Sequence, residues 1–241
     1  SAASVGQLAA TRAKARLNPR RPPTGSYPVL FDQRISSTLI GHLTSAMNGA
    51  SICRGSSWLL NSLNKKVLSE NLTLSENPMR PKIAGSRPFD SEGLPTNRQI
   101  FIERGVLKRY ILDLRSSRKL KLAPLGNAYR SLSSAPQPGI GNLELSPGSN
   151  SLEQLIRSIK SGLLVTSLIG STINQNTGDY SRGANGFWIE NGEVVFPVNE
   201  CTIAGNLTEM LSNIIAANDG KPHLSKVIPS LLVENMTIAG G

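Results

Sequence analysis

Apolar residues recur along this chain in two rhythms, one helical and one strand-like. Ile35, Leu39, His42 and Ala46 fall three or four apart, with Asp32 placed to cap the first turn and Gly49 to close the last as a C′ residue. Leu152, Leu155, Ile156, Ile159 and Leu163 form a second stripe behind Ser151. Leu207, Met210, Leu211, Ile214 and Ile215 form a third, opened by Asn206 with Glu209 placed to complete a capping box. Residues 7–17 read as a further helix. Between these stretches the pattern is β-like. Residues 100–103 and 106–112 flank Arg104-Gly105, and residues 186–190 and 193–198 flank Asn191-Gly192, so each pair predicts a hairpin, the Asn-Gly turn carrying the stronger signal. Residues 29–31, 72–74, 143–145, 163–169 and 231–238 predict further strands. Stretches rich in Pro and Gly at 18–28, 77–97 and 132–150 predict linker or loop, and so does the polar stretch 177–186. Few helices among many hairpins predict an α+β fold, a mainly antiparallel β-sheet with a few packed helices. The expected organisation is a basic helical connector and linker over residues 1–26, followed by one domain over 27–241.

Composition narrows the class. The 241 residues are 39% hydrophobic and 17% charged, enough to bury a core and too apolar for global disorder. Aromatic residues make up 5%, which argues against a stacking platform for single-stranded nucleic acid. No apolar run approaches the ~20 residues that cross a bilayer, so a soluble chain without membrane contact is expected. Lys and Arg number 26 against 16 Asp and Glu, a net charge of +10. Arg12, Lys14, Arg16, Arg20 and Arg21 all precede the first acid, and Lys108-Arg109 with residues 115–121 form a second basic cluster. Such segments bind nucleic acid or anionic surfaces, or serve as solvated connectors, and no nucleic-acid-binding module accompanies them here. Cys53 and Cys201 lie far apart and outside metal spacing, which fits buried thiols in a reducing compartment. The chain opens Ser1-Ala2-Ala3 with no apolar leader behind it, so a processed chain or a fragment is expected.

Recognisable catalytic motifs are missing. There is no H-E-x-x-H, no C-x-x-C, no G-x-S-x-G and no P-loop, and Gly139-Ile140-Gly141 lacks the rest of a dinucleotide fingerprint. His42 reads as a packed histidine on an apolar helix face and His223 as a surface residue. The densest polar cluster is 177–186. It is either a loop held by an Asp179–Arg182 pair or a contact for a peptide or subunit, with Asp179, Tyr180 and Arg182 as the contact residues.

Several stretches carry a resemblance. Ile173-Asn174, the run TGDYSRGANGFWIENGE from Thr177 to Glu193, Phe196-Pro197-Val198 and TIAGNL from Thr202 to Leu207 resemble the TldD/PmbA family, once described as modulators of DNA gyrase, and within it the PmbA (TldE) branch. YPVLFD from Tyr27 to Asp32, Gly41-His42-Leu43, Tyr110-Ile111-Leu112 and MTIAG from Met236 to Gly240 fit as well. The resemblance covers residues 25–241 and the family's C-terminal domain, leaving the family's N-terminal α/β domain outside this chain. It implies the chemistry of a zinc protease whose active member, TldD, holds the metal with H-E-x-x-x-H and a cysteine nearer the C-terminus. Aligned on Ile40-Gly41-His42, that motif falls on Ser37, Thr38 and His42, and no cysteine lies beyond Cys201. One histidine remains where a catalytic zinc takes three protein ligands and a base. The resemblance therefore implies no catalytic residue and no metal ligand set in this chain, with zinc in a TldD-like catalytic partner. It further implies a cytoplasmic heterodimer that processes unfolded or flexible peptides, such as peptide-antibiotic precursors or an antitoxin, activity depending on the partner, and a homodimer when the chain is alone. Two rivals remain: a nucleic-acid-associated regulator of DNA gyrase acting through the basic surface, and a hydrolase built on His42 with other ligands.

Overall fold

The structure, a computed structural model, describes residues 1–240 apart from the side chains of Ser171 and Thr172. Among the described residues the chain forms six helices: α1 (Ala2–Lys14), α2 (Gln33–Ala46), α3 (Gly49–Arg54), α4 (Leu114–Leu120), α5 (Leu152–Ser158) and α6 (Leu207–Ser212). None of these helices is long and apolar enough to cross a membrane.

The largest sheet is built from β1 (Gly25–Phe31), β8 (Ser161–Ile173), β9 (Asp179–Glu190), β10 (Glu193–Asn206), β13 (Leu231–Ala239) and the short β11 (Ile215–Ala216). β1 lies parallel to β8, with Val29 opposite Leu163 and Phe31 opposite Val165. β8, β9, β10 and β13 then follow antiparallel, and β13 returns antiparallel to β1, so five strands close a small barrel. The sheet is therefore mixed. A smaller sheet runs in the order β12 (Lys226–Val227), β7 (Leu143–Leu145), β2 (Leu74–Glu76), β3 (Gln99–Glu103), β4 (Val106–Leu107), its β12–β7 pair parallel. A two-stranded piece joins β5 (Ala128–Tyr129) to β6 (Gln137–Pro138).

Alternation along the barrel strands explains how their apolar runs are buried. Val29 and Phe31, Leu163 and Val165, and Leu231 and Val233 enter the main core, while Leu30, Leu164 and Leu232 point the other way and pack with Leu155 and Ile159 at α5. The main core also takes Leu74, Phe101, Ile102, Leu107, Leu143 and Leu145 from the smaller sheet. Both sheets thus share one apolar interior. The strands approach very closely at Gly186, where a Cβ would lie 1.8 Å from the Leu164 carbonyl oxygen. At the hairpin turn Asn191 and Gly192 take φ of 50° and 81°, as a type I′ turn requires.

Several expectations are corrected. Gly49 does not close α2; Met47 does, in right-handed geometry, and Gly49 opens α3 behind the Asn48 cap. The stripe from Leu152 to Leu163 is not one helix, since α5 stops at Ser158 and Leu163 already belongs to β8. Ile215 lies in β11, and Asn206 caps α6 by accepting from the Thr208 amide, with no return bond from Glu209 among the described residues. The second arm of the Arg104-Gly105 hairpin is only Val106–Leu107. The polar stretch 177–186 is largely strand, because β9 begins at Asp179 and is paired on both sides by β8 and β10.

Candidate functional site

The site begins with α2. Its cap, Asp32, accepts from the Arg34 amide at 2.9 Å and from Arg34 Nε at 2.7 Å. Burial alone would raise the Asp32 pKa, but the Arg34 hydrogen bonds and charge outweigh it and hold the carboxyl below its usual range. Ser36, Leu39, Ile40, Leu43 and Ala46 face the interior. The three motif positions of this helix do not converge. Ser37 borders a shallow depression with Arg34, Lys221, His223 and Lys226. Thr38 donates its hydroxyl back to the Ile35 carbonyl at 2.7 Å. His42 packs edge-on against Tyr180, with ring centroids 5.9 Å apart and planes at 71°.

Tyr180 and Arg182 share one face of β9, two positions apart. Tyr180 is 2% exposed, and burial pushes its phenol up to about 12 while the neighbouring Arg182 guanidinium opposes that rise. Arg182 donates from Nε to the Gly170 carbonyl at 2.8 Å, bracing β9 against the bulged part of β8. Among the described residues, neither His42 Nε2 nor Tyr180 Oη, both buried, has a hydrogen-bond partner. Burial first, and then the Arg182 charge, hold His42 below its ordinary value.

Asp179 faces away from this group. Its carboxylate accepts from Thr177 Oγ1 at 2.5 Å and from Asn206 Nδ2 at 3.1 Å, and these two bonds hold its pKa low. The Asp179–Arg182 pair, one of the two readings of this stretch, is absent among the described residues; three positions apart in a strand, the two side chains leave opposite faces. The hairpin tip is fixed elsewhere: Gly178 N donates to Asn174 O at 2.9 Å, Leu207 N to Gly178 O at 2.8 Å, and Trp58 N to Gln175 O at 2.9 Å.

One imidazole, one phenol and one guanidinium are brought together here. That group can hold and release a proton on His42 Nε2 and can present polar atoms to a hydrogen-bonding ligand. It does not suit zinc, which wants three ligands and tolerates a neighbouring cation poorly. The thiols lie apart. Cys201 is buried, donates to Ala184 O at 3.1 Å and is pushed up to about 11 by burial, and Cys53 is half-buried beside α4. No cluster of three or more His, Cys, Asp or Glu that would hold a metal occurs among the described residues. The His42–Tyr180 contact has no signal in the sequence. The alternation of Tyr180, Arg182, Ala184, Gly186 and Trp188 is readable only if glycine is allowed on a buried strand face.

Residues 24–240 match the PmbA/TldA metallopeptidase C-terminal domain. The chain is similar to metalloprotease PmbA of Escherichia coli O157:H7, with 42% identity over 237 residues, covering 98% of this chain and 51% of that protein. Among solved structures it is similar to a Bacteroides thetaiotaomicron protein described as a candidate modulator of DNA gyrase, at 34% identity and TM-score 0.89, over 98% of this chain and 52% of that one. It is also similar to TldE from Thermococcus kodakarensis, at 27% identity and TM-score 0.85, over 97% of this chain and 55% of that one. The chain spans about half the length of the curated relatives it matches.

Proposed function

Since the chain belongs to the PmbA/TldD metallopeptidase family, we propose that it is part of a non-catalytic PmbA/TldE-type subunit, one that works with a zinc-bearing TldD-like subunit on unfolded or flexible peptides. The observation that carries this reading is the company of His42. Where a zinc protease would place a second ligand and a carboxylate base, Ser37 and Thr38 point elsewhere or bond their own helix, and Arg182 puts a positive charge beside the imidazole. Such a centre lacks both the donor set and the base that activate a metal-bound water.

A role in holding peptide has separate support. β8 runs on past Val165 to Ile173, and on the side away from β9 no strand pairs with it there among the described residues. An unpaired strand edge receives an extended peptide through main-chain hydrogen bonds, whatever its sequence. The test is reconstitution with a purified TldD-like subunit, zinc and an unfolded peptide. Cleavage is expected only when both subunits are present. Zinc-dependent cleavage by this chain alone, or full activity of the partner without it, would overturn the proposal.

A further inference from the structure

The cations around α4 form no salt bridge among the described residues. Arg115, Arg118, Lys119 and Lys121 project to solvent on or just beyond that helix, and Arg54 at the end of α3 joins them. None of the five takes part in an ion pair among the described residues. Lys119 Nζ donates to the Cys53 carbonyl at 3.0 Å and Arg54 Nη2 to Ser51 Oγ at 3.2 Å, both neutral acceptors. The nearby acids are already engaged: Asp113 accepts from the Ser116 amide at 2.7 Å, and Glu92 from the Leu114 amide at 2.8 Å. They satisfy the helix N-terminus, and their two charges leave the five cations of the outer face in excess.

Two hollows flank this helix. One, of about 230 Å³, is bordered by three cations, Arg54, Arg115 and Lys119, with Cys53, Ser116 and one acid, Asp113, whose carboxylate is buried under the Ser116 amide. The other, of about 250 Å³, has Leu63, Leu112, Leu122 and Leu125 beneath Lys108 and Arg109. Apolar lining under a cationic rim suits a carboxylate-bearing chain that also carries apolar side chains. A nucleic acid would leave the apolar hollow empty, and the aromatic there, Tyr110, is 5% exposed with its hydroxyl bonded to Leu59 O, so it offers no stacking face.

We propose that the outer face of α3 and α4 docks an acidic segment of a protein chain, its carboxylates on Arg54, Arg115 and Lys119 and an apolar side chain in the hollow below Lys108 and Arg109. This rests on that face alone and is independent of the zinc partner. The test is fluorescence anisotropy with a short labelled peptide of Glu and Leu, beside its Gln-and-Leu counterpart and a labelled oligothymidylate. Salt-sensitive binding of the acidic peptide is expected, weaker by at least about tenfold in the Arg115→Glu, Lys119→Glu double variant and unchanged in Arg157→Glu, an exposed cation on α5. Should charge reversal lower the melting temperature, Arg115→Gln with Lys119→Gln gives the same reading on the folded chain. No binding of the acidic peptide, equal binding of the Gln peptide, binding that survives the substitutions, or tighter binding of the oligothymidylate would each overturn the proposal.

Discussion

His42 stands between two groups that act on its proton in one direction. Burial and the Arg182 charge both hold it below the ordinary value of 6.5, so the folded chain binds this proton less readily than the unfolded chain. Stability attached to His42 is therefore complete above pH 6.5 and drains away as pH falls through the folded value. His42→Gln is expected to flatten the fall in melting temperature below that pH. Asp32 and Asp179, both held low, act only below their ordinary 3.8, and Glu76, raised by burial, slopes the opposite way above its ordinary 4.5. The difference between parent and variant isolates the histidine. Arg182→Ala should move the His42 midpoint upward in an NMR titration, and an unmoved midpoint would mean that solvent screens the guanidinium. Tyr180→Phe tests the other neighbour. It removes a buried hydroxyl that has no hydrogen-bond partner among the described residues, so stability should hold or rise, by on the order of 1 kcal/mol at most. A clear loss would show that the hydroxyl is bonded in solution.

At the scale of elements, the Asn191-Gly192 turn is the best case for sequence governing structure. Asn191 sits at φ 50° and its amide donates to Lys160 O at 2.7 Å. Asn191→Pro would force a negative φ and delete that donor, with an expected cost on the order of 1–3 kcal/mol. An unchanged thermal midpoint would contradict the turn assignment. The turn was readable because Asn-Gly has few other uses between apolar runs. The length of its arms was not, since Gly183 and Gly186 break the apolar alternation, and Gly186 is there only because another strand's carbonyl occupies the place of its side chain. α4 left no apolar stripe either, because the side chains it buries include Ser116 and Ser117. The stripe from Leu152 to Leu163 overshot for the converse reason: a strand buried on both faces continues the apolar run of the helix before it.

At the scale of the molecule, what escaped the sequence is the closure. The parallel pairing of Val29 with Leu163 and the return of β13 to β1 join distant segments by main-chain bonds that no local pattern encodes. The motif positions Ser37, Thr38 and His42 were legible through resemblance, but what Ser37 and His42 touch, a shallow depression and Tyr180, depends on segments that pack against α2 from far along the chain, while Thr38 bonds back to the Ile35 carbonyl. A single apolar interior has a consequence that can be measured. Phe101 belongs to the smaller sheet, is fully buried, and lies in the same cluster as Trp188 of the barrel. If the two sheets folded separately, removing the Phe101 side chain would loosen only its own sheet. Because they share one core, Phe101→Ala should lower the stability of the whole chain by about 3–5 kcal/mol, as large-to-small changes in packed interiors do. The chain has two tryptophans, so a Trp58→Phe background leaves Trp188 as the barrel's own reporter. Its fluorescence and the far-ultraviolet circular dichroism should then shift together to one lower midpoint, the mark of a single cooperative transition. A Trp188 signal that melts at the parent temperature while the dichroism falls earlier would mean that the barrel stands without the smaller sheet.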